Sequence, residues 1–443
     1  LGMFKGSLFG SSITAILIKT PGTPAAAATV LDGYPLAQKG KGMKAMKMAL
    51  YSSVFGDTFS DVMLIFAAGF LASIALNFGP PEYALLTGFS LICISSLTGN
   101  SIWKGLLSVF LGMIVGMIGL DPITATPRLT FDYLELEEGI GLIPMLIGTL
   151  AVSEAIRQME QPVKKLASST LIFSKKKIDN IVTWSEFKST LPTILKSSGL
   201  GTLIGAMPGL GSTIAAFLAY GEAKRSSKFP EEFGKGSLEG VAASESANNA
   251  VSGSNMIPLL AFGIPGDIAA ALIMGAFLIQ GITLGPVVFQ DNPIEIYAIF
   301  AALIVANLFN LVLGHGLIRM CKHVVTVPKR LLFPAVLVVA SAGAYALRGS
   351  IFDIQLVFIF GILGYLMIKC DIPTVPMLIG FILIPILEEN LRITILLGSS
   401  HDLNIGFIFT RPAFLILILI MVTASFVVMN RRKLQNLEKI TNK

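Results

Sequence analysis

The chain has 443 residues, of which 53% are hydrophobic and only 14% are charged, and its mean hydropathy is +0.76. Because soluble chains carry about 25% charged residues, this composition excludes an ordinary soluble domain and favours a protein that lies in a membrane. The formal net charge of +6 is small and scattered along the sequence, so it does not predict a nucleic-acid surface.

The apolar residues form long continuous runs without the alternation that transmembrane β-strands require. Runs long enough to cross a hydrocarbon core, about 20 residues, lie at 57–79, 83–98, 102–120, 139–156, 241–263, 294–318, 331–347, 351–369, 373–387 and 411–430. Shorter runs broken by Gly and Pro lie at 8–31, 191–223 and 265–281. We therefore predict an all-α polytopic membrane protein with about 10–12 transmembrane segments, in two repeated halves with Pro/Gly-broken half-helices.

A basic connector divides the chain. Residues 157–188 hold seven basic and three acidic side chains, and short basic loops of membrane proteins face the cytoplasm. The predicted order is a first transmembrane half at 1–156, a cytoplasmic connector at 157–190, a second half at 191–430 and a cytoplasmic tail at 431–443.

Three Pro-Gly breaks interrupt apolar sequence, at Pro21-Gly22, Pro208-Gly209 and Pro265-Gly266. A half-helix that begins at such a break presents free N–H groups equivalent to about half a positive charge, so it can hold an anion without a buried base. Transporters built from repeats place broken helices near the middle of the bilayer for this purpose. The alternative is that Pro and Gly only kink the helices and allow close packing.

The sequence also indicates an internal duplication, in one of two registers. Pro21-Gly22 and Pro265-Gly266 are each followed by an alanine run and a later glycine. In the other register, Tyr34-Pro35 leading to a Gly-Lys-Gly triplet matches Phe229-Pro230 leading to a second such triplet. Both registers stay open at this point.

Polar residues also enter the apolar run at 241–263. At helical spacing Ser244, Asn248 and Ser252 form one stripe, with Glu245 and Asn249 beside it, and polar stripes in a membrane need partners such as a substrate or a cation. A water-facing surface helix is the alternative. Asp57 and Asp61 also lie four residues apart at the start of an apolar run. We interpret them as acids that stabilise the start of a helix, and cation binding is the alternative.

No pattern in the sequence predicts an enzyme. Nucleophile, zinc-protease and phosphate-loop signatures are absent, and the three cysteines and three histidines are scattered without metal-ligand spacing. We therefore predict neither a catalytic residue, a bound metal nor a cofactor, and an ion gradient or another subunit would supply the energy.

Several motifs in this order resemble the large permease subunit of the tripartite tricarboxylate transporters, the TctA family. They are Gly10-Ser11-Ser12-Ile13, Thr20-Pro21-Gly22-Thr23-Pro24, Leu31-Asp32-Gly33-Tyr34-Pro35, Phe78-Gly79-Pro80-Pro81-Glu82-Tyr83, Gly119-Leu120-Asp121-Pro122, Pro208-Gly209-Leu210-Gly211, Pro230-Glu231-Glu232-Phe233-Gly234-Lys235-Gly236, Glu239-Gly240-Val241-Ala242-Ala243, Asn248-Asn249, Gly263-Ile264-Pro265-Gly266, Leu387-Glu388, Asn390-Leu391-Arg392 and Thr410-Arg411-Pro412. These motifs extend over nearly the whole chain.

The resemblance implies a secondary carrier of the bacterial inner membrane that imports tricarboxylates or related carboxylates on a sodium or proton gradient. It also implies two partners, a periplasmic solute-binding protein and a small four-helix membrane subunit. Family chains begin with a further hairpin that carries Leu-Pro-Gly-Leu-Gly, and we expect 1–156 to lack it. Ser244 stands where the family commonly has Pro, and Asp267 where a small residue is usual, so the substrate is expected to differ from citrate.

Together, the breaks and the resemblance predict where the ligands bind. The substrate-binding candidates are Thr20, Pro21, Gly22, Thr23, Pro24, Pro208, Gly209, Leu210, Gly211, Ser212, Thr213, Asn248, Asn249, Pro265 and Gly266. The candidates for binding the coupling cation, Na⁺ or H⁺, are Asp267, Glu245 and Ser246. A passive anion channel and a membrane scaffold without transport activity are the alternative functions.

Overall fold

The computed structural model describes residues 1–97, 101–121, 123–160, 174, 176–207, 211–324, 329–400, 405–419 and 421. Helices account for most of these residues. The β-structure within the described ranges is one antiparallel hairpin, β1 (Gly119–Leu120) paired with β2 (Pro127–Arg128). The predicted all-α class is therefore confirmed.

The first half forms a continuous series of helices. These are α1 (Gly2–Ile18), α2 (Ala26–Gln38), α3 (Gly42–Ala75), α4 (Pro80–Leu97), α5 (Ile102–Gly116), α6 (Leu134–Glu137), α7 (Leu142–Leu146) and α8 (Ser153–Glu160). A π-helical stretch at Ile147–Val152 joins α7 to α8, so the chain stays helical through both.

The second half begins after a short 3₁₀ turn at Lys177–Asn180. Its helices are α9 (Trp184–Gly205), α10 (Gly211–Ser226), α11 (Leu238–Ser254), α12 (Met256–Phe262), α13 (Ile268–Ile279), α14 (Val288–Asp291), α15 (Pro293–Val324), α16 (Lys329–Arg348), α17 (Ile351–Lys369) and α18 (Thr374–Ser400). Further 3₁₀ turns lie at Pro230–Glu232 and Ile405–Thr410.

Four helices of the described ranges are long and apolar enough to cross a membrane, within α3, α15, α17 and α18. Shorter apolar helices include α1, α5 and α13, so the chain is polytopic. Helix α3 begins at Gly42 instead of at 57, where the apolar run begins. The extension is stabilised by a contact from outside the run, since the Lys44 ammonium lies 2.6 Å from the Glu186 carboxylate.

Helix α11 lies at the centre of the packing, and its residues from Gly240 to Ser254 are all buried. It contacts α3, α9 and α10. Small residues permit this close approach, as they do between helices in membranes. A Cβ added to Gly56 of α3 would lie 2.2 Å from the Ser246 carbonyl oxygen, and one added to Gly201 of α9 would lie 2.4 Å from that of Ala247.

The structure favours one register of the duplication. Helices α1 and α12 both end in a left-handed residue, Lys19 with φ 55° and Gly263 with φ 70°. Each is followed by Pro-Gly two residues later, and then by a residue whose side chain accepts the backbone N–H three positions on: Ala26 N–H donates to Thr23 Oγ1 at 3.3 Å, and Ala270 N–H to Asp267 Oδ1 at 2.9 Å.

The helices before these breaks pack on long helices of the opposite half. Helix α1 packs on α15, and also on α3, while α11 and α12 pack on α3. The competing register has no such support, because Pro35 lies inside α2 whereas Pro230 begins a 3₁₀ turn. These features favour the register that pairs Pro21-Gly22 with Pro265-Gly266.

An ion cluster ties the β-hairpin to α18. Arg392 donates to both carboxylate oxygens of Asp121, at 3.1 and 2.8 Å, and Arg128 donates to Glu388 at 2.7 Å. The Arg392 guanidinium and the nearby backbone N–H groups hold the pKa of Asp121 well below its usual range. Asp121 consequently stays ionised and keeps the hairpin in place.

Candidate functional site at the helix breaks

The first break folds back on the helix that precedes it. Gly22 N–H donates to the Ser11 carbonyl at 3.3 Å, and a Cβ at Gly22 would lie 2.9 Å from Ser11 Cα. Thr23 Oγ1 lies 3.0 Å from Ser11 Oγ and accepts the N–H of Ala26, the first residue of α2, although the N-cap position itself is Ala25. Thr20, Pro21, Gly22 and Pro24 are exposed and Thr23 is half-buried, so this N-terminus of α2 is accessible and the oxygen that accepts its first N–H is uncharged.

Helix α10, which follows the second break, packs beside the first break. Ala25 and Ala28, at the start of α2, pack against Ala216 of α10. Helix α10 begins at Gly211, which has φ +64°, and Ser212 and Thr213 of its first turn are half-buried. The other predicted residues of this break, Pro208, Gly209 and Leu210, lie outside the described residues.

The third break is buried and is already occupied by an acid. Pro265 and Gly266 are buried, and a Cβ at Gly266 would lie 2.5 Å from Asn255 Oδ1 and 3.4 Å from the Gly205 carbonyl at the end of α9. The Asp267 carboxylate caps α13. Because a carboxylate already faces this helix N-terminus, the third break differs electrostatically from the first.

Glu245 connects the two halves. It is completely buried, and Ser12 Oγ donates to its Oε1 at 2.6 Å while Ser53 Oγ donates to its Oε2 at 3.0 Å. Thr29 Oγ1 donates to Oε1 as well. Hydroxyls from α1, α2 and α3 thus converge on one carboxylate of α11, which satisfies its acceptors without a base.

The neighbouring asparagines differ in their hydrogen bonding. Asn249 Nδ2 donates to Ser53 Oγ at 2.8 Å and to the Glu245 carbonyl at 2.9 Å. Asn248 is 1% exposed, and neither its Oδ1 nor its Nδ2 has a partner among the described residues. Since a buried amide without partners costs free energy, Asn248 is suited to meet a ligand. The Ser246 hydroxyl donates to the Ala242 carbonyl of its own helix.

A second buried polar cluster lies further along the interface between α3 and α11, one turn of α3 beyond Ser53, and was not predicted from the sequence. The Lys5 ammonium lies 2.5 Å from Asp61 Oδ2 and 3.6 Å from Asp57 Oδ1, and Asn307 donates to Asp61 Oδ2 at 2.7 Å. Our interpretation of Asp57 and Asp61 as acids at a helix start was wrong, because both lie in the middle of α3 (Gly42–Ala75). The feature of the sequence that could have indicated this cluster is Lys5, a charged residue within an otherwise apolar N-terminal segment.

A cavity of about 580 Å³ lies apart from the breaks, between α3, α9 and α15, and is mostly apolar. Its lining includes Tyr51, Phe55, Thr58 and Trp184. Within the described ranges no group of three His, Cys, Asp or Glu side chains is arranged to hold a metal ion.

Known proteins of similar sequence indicate the family of this chain. The chain is 38% identical over 391 residues to an uncharacterized 52.8 kDa protein of the TAR-I ttuC' 3' region of Agrobacterium vitis, covering 88% of this chain and 77% of that protein. It is 44% identical over 192 residues to an uncharacterized protein of the TAR-II ttuC' 3' region of the same organism, covering 43% and 79% respectively. No solved structure matches the chain.

The family model named for the tripartite tricarboxylate transporter TctA family matches residues 1–379, which include all three breaks and both polar clusters. This chain therefore belongs to the tripartite tricarboxylate transporter TctA family, a family of membrane transporters.

Proposed function

We propose that this chain is the large transmembrane subunit of a secondary transporter that imports tricarboxylates or related carboxylates. The observation that carries the proposal is the first break, where an accessible helix N-terminus with a neutral acceptor, Thr23 Oγ1, packs beside the first turns of a second helix, α10. Two helix N-termini side by side attract an anion with several carboxylates more strongly than one alone.

In this proposal the substrate lies against the first and second breaks. The hydroxyls of Thr20, Thr23, Ser212 and Thr213, with the backbone N–H groups near Pro21-Gly22 and Pro208-Gly209, donate to the carboxylates. Asn248, which is buried without partners, supplies an amide, and Asn249 holds Ser53 and Glu245 in place. Pro265-Gly266 shapes the site, since its helix N-terminus is capped by Asp267.

Alternating access would follow from the duplication. The two matching breaks, and the packing of α1 on α15 and of α11 and α12 on α3, provide two equivalent halves that can rock about a fixed site. Glu245 accepts hydrogen bonds from hydroxyls on three helices of the first half, so a movement between the halves would change the surroundings of its carboxylate. Glu245 is therefore a candidate for sensing the coupling cation, and Asp267 and Ser246 are the other candidates.

The proposal includes the setting of the protein. A periplasmic solute-binding protein would deliver the carboxylate, a small four-helix membrane subunit would complete the complex, and a sodium or proton gradient would drive import across the bacterial inner membrane. Residues 157–190 and the C-terminus would face the cytoplasm, because the connector is basic.

Uptake of radiolabelled citrate and other di- and tricarboxylates tests the proposal, in cells that carry this chain with its binding protein and small subunit. We expect saturable accumulation that requires the binding protein and stops when an ionophore collapses the gradient. Flux that continues without gradient or binding protein would identify a passive anion channel. Absence of uptake, with normal assembly of the three proteins, would identify a scaffold.

A further inference from the structure

The cluster of Lys5, Asp57 and Asp61 contains one more negative than positive charge. Lys5 is 1% exposed and both aspartates are completely buried. With all three side chains ionised the net charge would be −1, at a depth where an unpaired charge is very costly. The cluster therefore needs one further monovalent cation.

The hydrogen bonds show where that charge is missing. Asp61 Oδ2 accepts from both Lys5 and Asn307, so Asp61 is the partner of the lysine. Asp57 Oδ1 accepts from the Ser252 hydroxyl of α11 and lies 3.6 Å from the Lys5 ammonium. Asp57 Oδ2 and Asp61 Oδ1 are both buried and have no partner among the described residues. Of the two carboxylates, Asp57 lies farther from the Lys5 ammonium, at 3.6 Å against 2.5 Å for Asp61, so the positive charge is missing on the side of Asp57.

The packing favours a proton over a metal ion. The ammonium of Lys5 already lies between the two carboxylates, in the place that a metal ion would take. Gly253 closes the other side, because a Cβ added there would lie 2.6 Å from both Asp61 Oδ1 and Ser60 Oγ. A proton on Asp57 Oδ2 needs no additional volume.

Few other ionisable groups surround the cluster. Among the helices packed on α3, α1 contributes Lys5, and α11 contributes Glu245, which contacts Ser53 one turn before Asp57. The other acid of α11, Glu239, accepts from Thr193 and Ser227. Helix α12 has no ionisable side chain, and α15 presents Asn307, while its His315 contacts Tyr51.

The acids of the remaining neighbours are engaged elsewhere. Glu186 of α9 pairs with Lys44 at the far end of α3, and Asp179 of the 3₁₀ turn accepts from Ser174. Asp32 of α2 accepts from Tyr220 and from the backbone N–H groups of Gly234 and Gly236. The extra proton is therefore assigned to the cluster itself.

We propose that Asp57 binds one exchangeable proton, with Lys5 and Asp61 as a fixed ion pair beside it, and that this proton is the coupling cation. The role in coupling rests on the proposed function. The carboxylate Asp57 takes up H⁺ from water on one side of the membrane, becomes a neutral carboxylic acid, and returns the same H⁺ to water on the other side. No oxidant or second substrate is required.

Hydrogen bonds connect the cluster both to the cavity between α3, α9 and α15 and to α11. Thr58 lines the cavity between α3, α9 and α15, and its Oγ1 accepts from Asn307, which in turn bonds Asp61. On the other side, the Ser252 hydroxyl links Asp57 to α11, one turn after Asn248. Loss of the proton would change the bond to Ser252 and so shift α11 relative to α3.

Infrared difference spectroscopy of the purified protein tests proton binding without any substrate. We expect a carboxylic-acid C=O band that disappears as pH rises, and that is absent from Asp57→Asn. Asp353→Asn, which removes another buried aspartate on a different helix, should keep the band. A band unchanged in Asp57→Asn would overturn the proposal.

The same spectra distinguish a proton from sodium. At constant pH, replacing choline chloride by sodium chloride should leave the band unchanged, and its loss on sodium addition would overturn the proposal in favour of a sodium site. Because Asp57→Asn could unfold, a second variant is needed. Lys5→Met/Asp61→Asn removes the ion pair together and keeps the net charge, so it should remain folded and keep the Asp57 band, whose absence would count against the assignment.

Uptake then separates this inference from the proposed function. Asp57→Asn should still exchange labelled for unlabelled carboxylate across the membrane, while gradient-driven accumulation falls to the external concentration. Ser252→Ala should weaken accumulation, and Ser254→Ala, whose hydroxyl donates to carbonyls of α11 itself, should not. Retained accumulation in Asp57→Asn would disprove coupling at this site. A normal Asp57 band in a wild type that takes up no carboxylate would disprove the proposed function instead.

Discussion

The first and third breaks share one backbone design and differ in the charge of one side chain. In both, a left-handed residue ends a helix, Pro-Gly follows, and a side-chain oxygen accepts the backbone N–H three residues on, at the start of the next helix. That oxygen belongs to Thr23 at the first break and to Asp267 at the third. The backbone arrangement is therefore the same at the two breaks, while the charge at the start of the following helix differs.

The largest effect should come from making the first break resemble the third. Thr23→Asp keeps a side-chain oxygen for the Ala26 N–H but places a second carboxylate near a bound one, at a cost of about 4 kcal/mol for charges 4 Å apart at the surface of a protein. We expect carboxylate uptake to fall by roughly three orders of magnitude. Measurement of uptake together with the amount of protein in the membrane checks this.

Thr23→Ser is the matched control, because it keeps the hydroxyl that accepts the Ala26 N–H and lies near Ser11. It should preserve uptake. Equal activity of the Asp and Ser variants would show that the first break does not face the substrate.

The next effect concerns the close approach of the first break to α1. Gly22→Ala would push a Cβ to 2.9 Å from Ser11 Cα, and overpacking of this kind costs about 1–3 kcal/mol. We expect initial uptake rates to fall about tenfold or more. Gly10→Ala is the control, because Gly10 lies on α1 next to Ser11 and has no atom within 4 Å of an added Cβ. This variant should transport normally. Similar losses of uptake in Gly22→Ala and Gly10→Ala would count against the predicted geometry.

A smaller effect is expected at the third break. Asp267→Asn removes the charge but keeps an equally good N-cap, so the stability should change by less than about 0.5 kcal/mol, and gradient-driven uptake should persist. Asp267→Ala, which loses the cap, should lower the free energy of unfolding by about 1 kcal/mol. Loss of gradient dependence in Asp267→Asn would instead assign the coupling cation to Asp267.

The smallest effect is an interaction energy. If Asn248 and Thr23 contact the same substrate molecule, the two substitutions Asn248→Ala and Thr23→Ala should not act independently. The loss of binding free energy in the double variant should differ from the sum of the two single losses by about 0.5 kcal/mol or more. Asn248→Ala combined with Asp267→Asn should be additive. The reverse pattern, measured with the same labelled carboxylate, would place the substrate at the third break.

The sequence predicted the local features well because Pro, Gly and their caps act within a few residues. The breaks at Pro21-Gly22 and Pro265-Gly266 could be recognised directly in the sequence, and so could Asp267 beside Pro265-Gly266. Whether Asp267 caps a helix depends on the backbone that follows it, and the sequence left this open. The register of the duplication also needed the helix boundaries, since Pro35 and Pro230 look alike in sequence but lie in different structures.

Contacts between distant parts of the chain could not be predicted. Lys5 meets Asp61 across 56 residues and Asn307 across 302, so nothing near Asp57 or Asp61 indicated that they form a buried cluster. The early start of α3 depends in the same way on Glu186, a residue of a different helix. Buried charges in a membrane need partners, and those partners are found only after folding.

An electron cryo-microscopy structure of the assembled transporter with a transported carboxylate bound would show directly whether the first break holds the substrate. We expect ligand density against Thr23 and the first turn of α2, close to the start of α10 and to Asn248, with Asp267 still capping α13. Density for the carboxylate at the Asp267 cap, with the first break empty, would contradict this expectation.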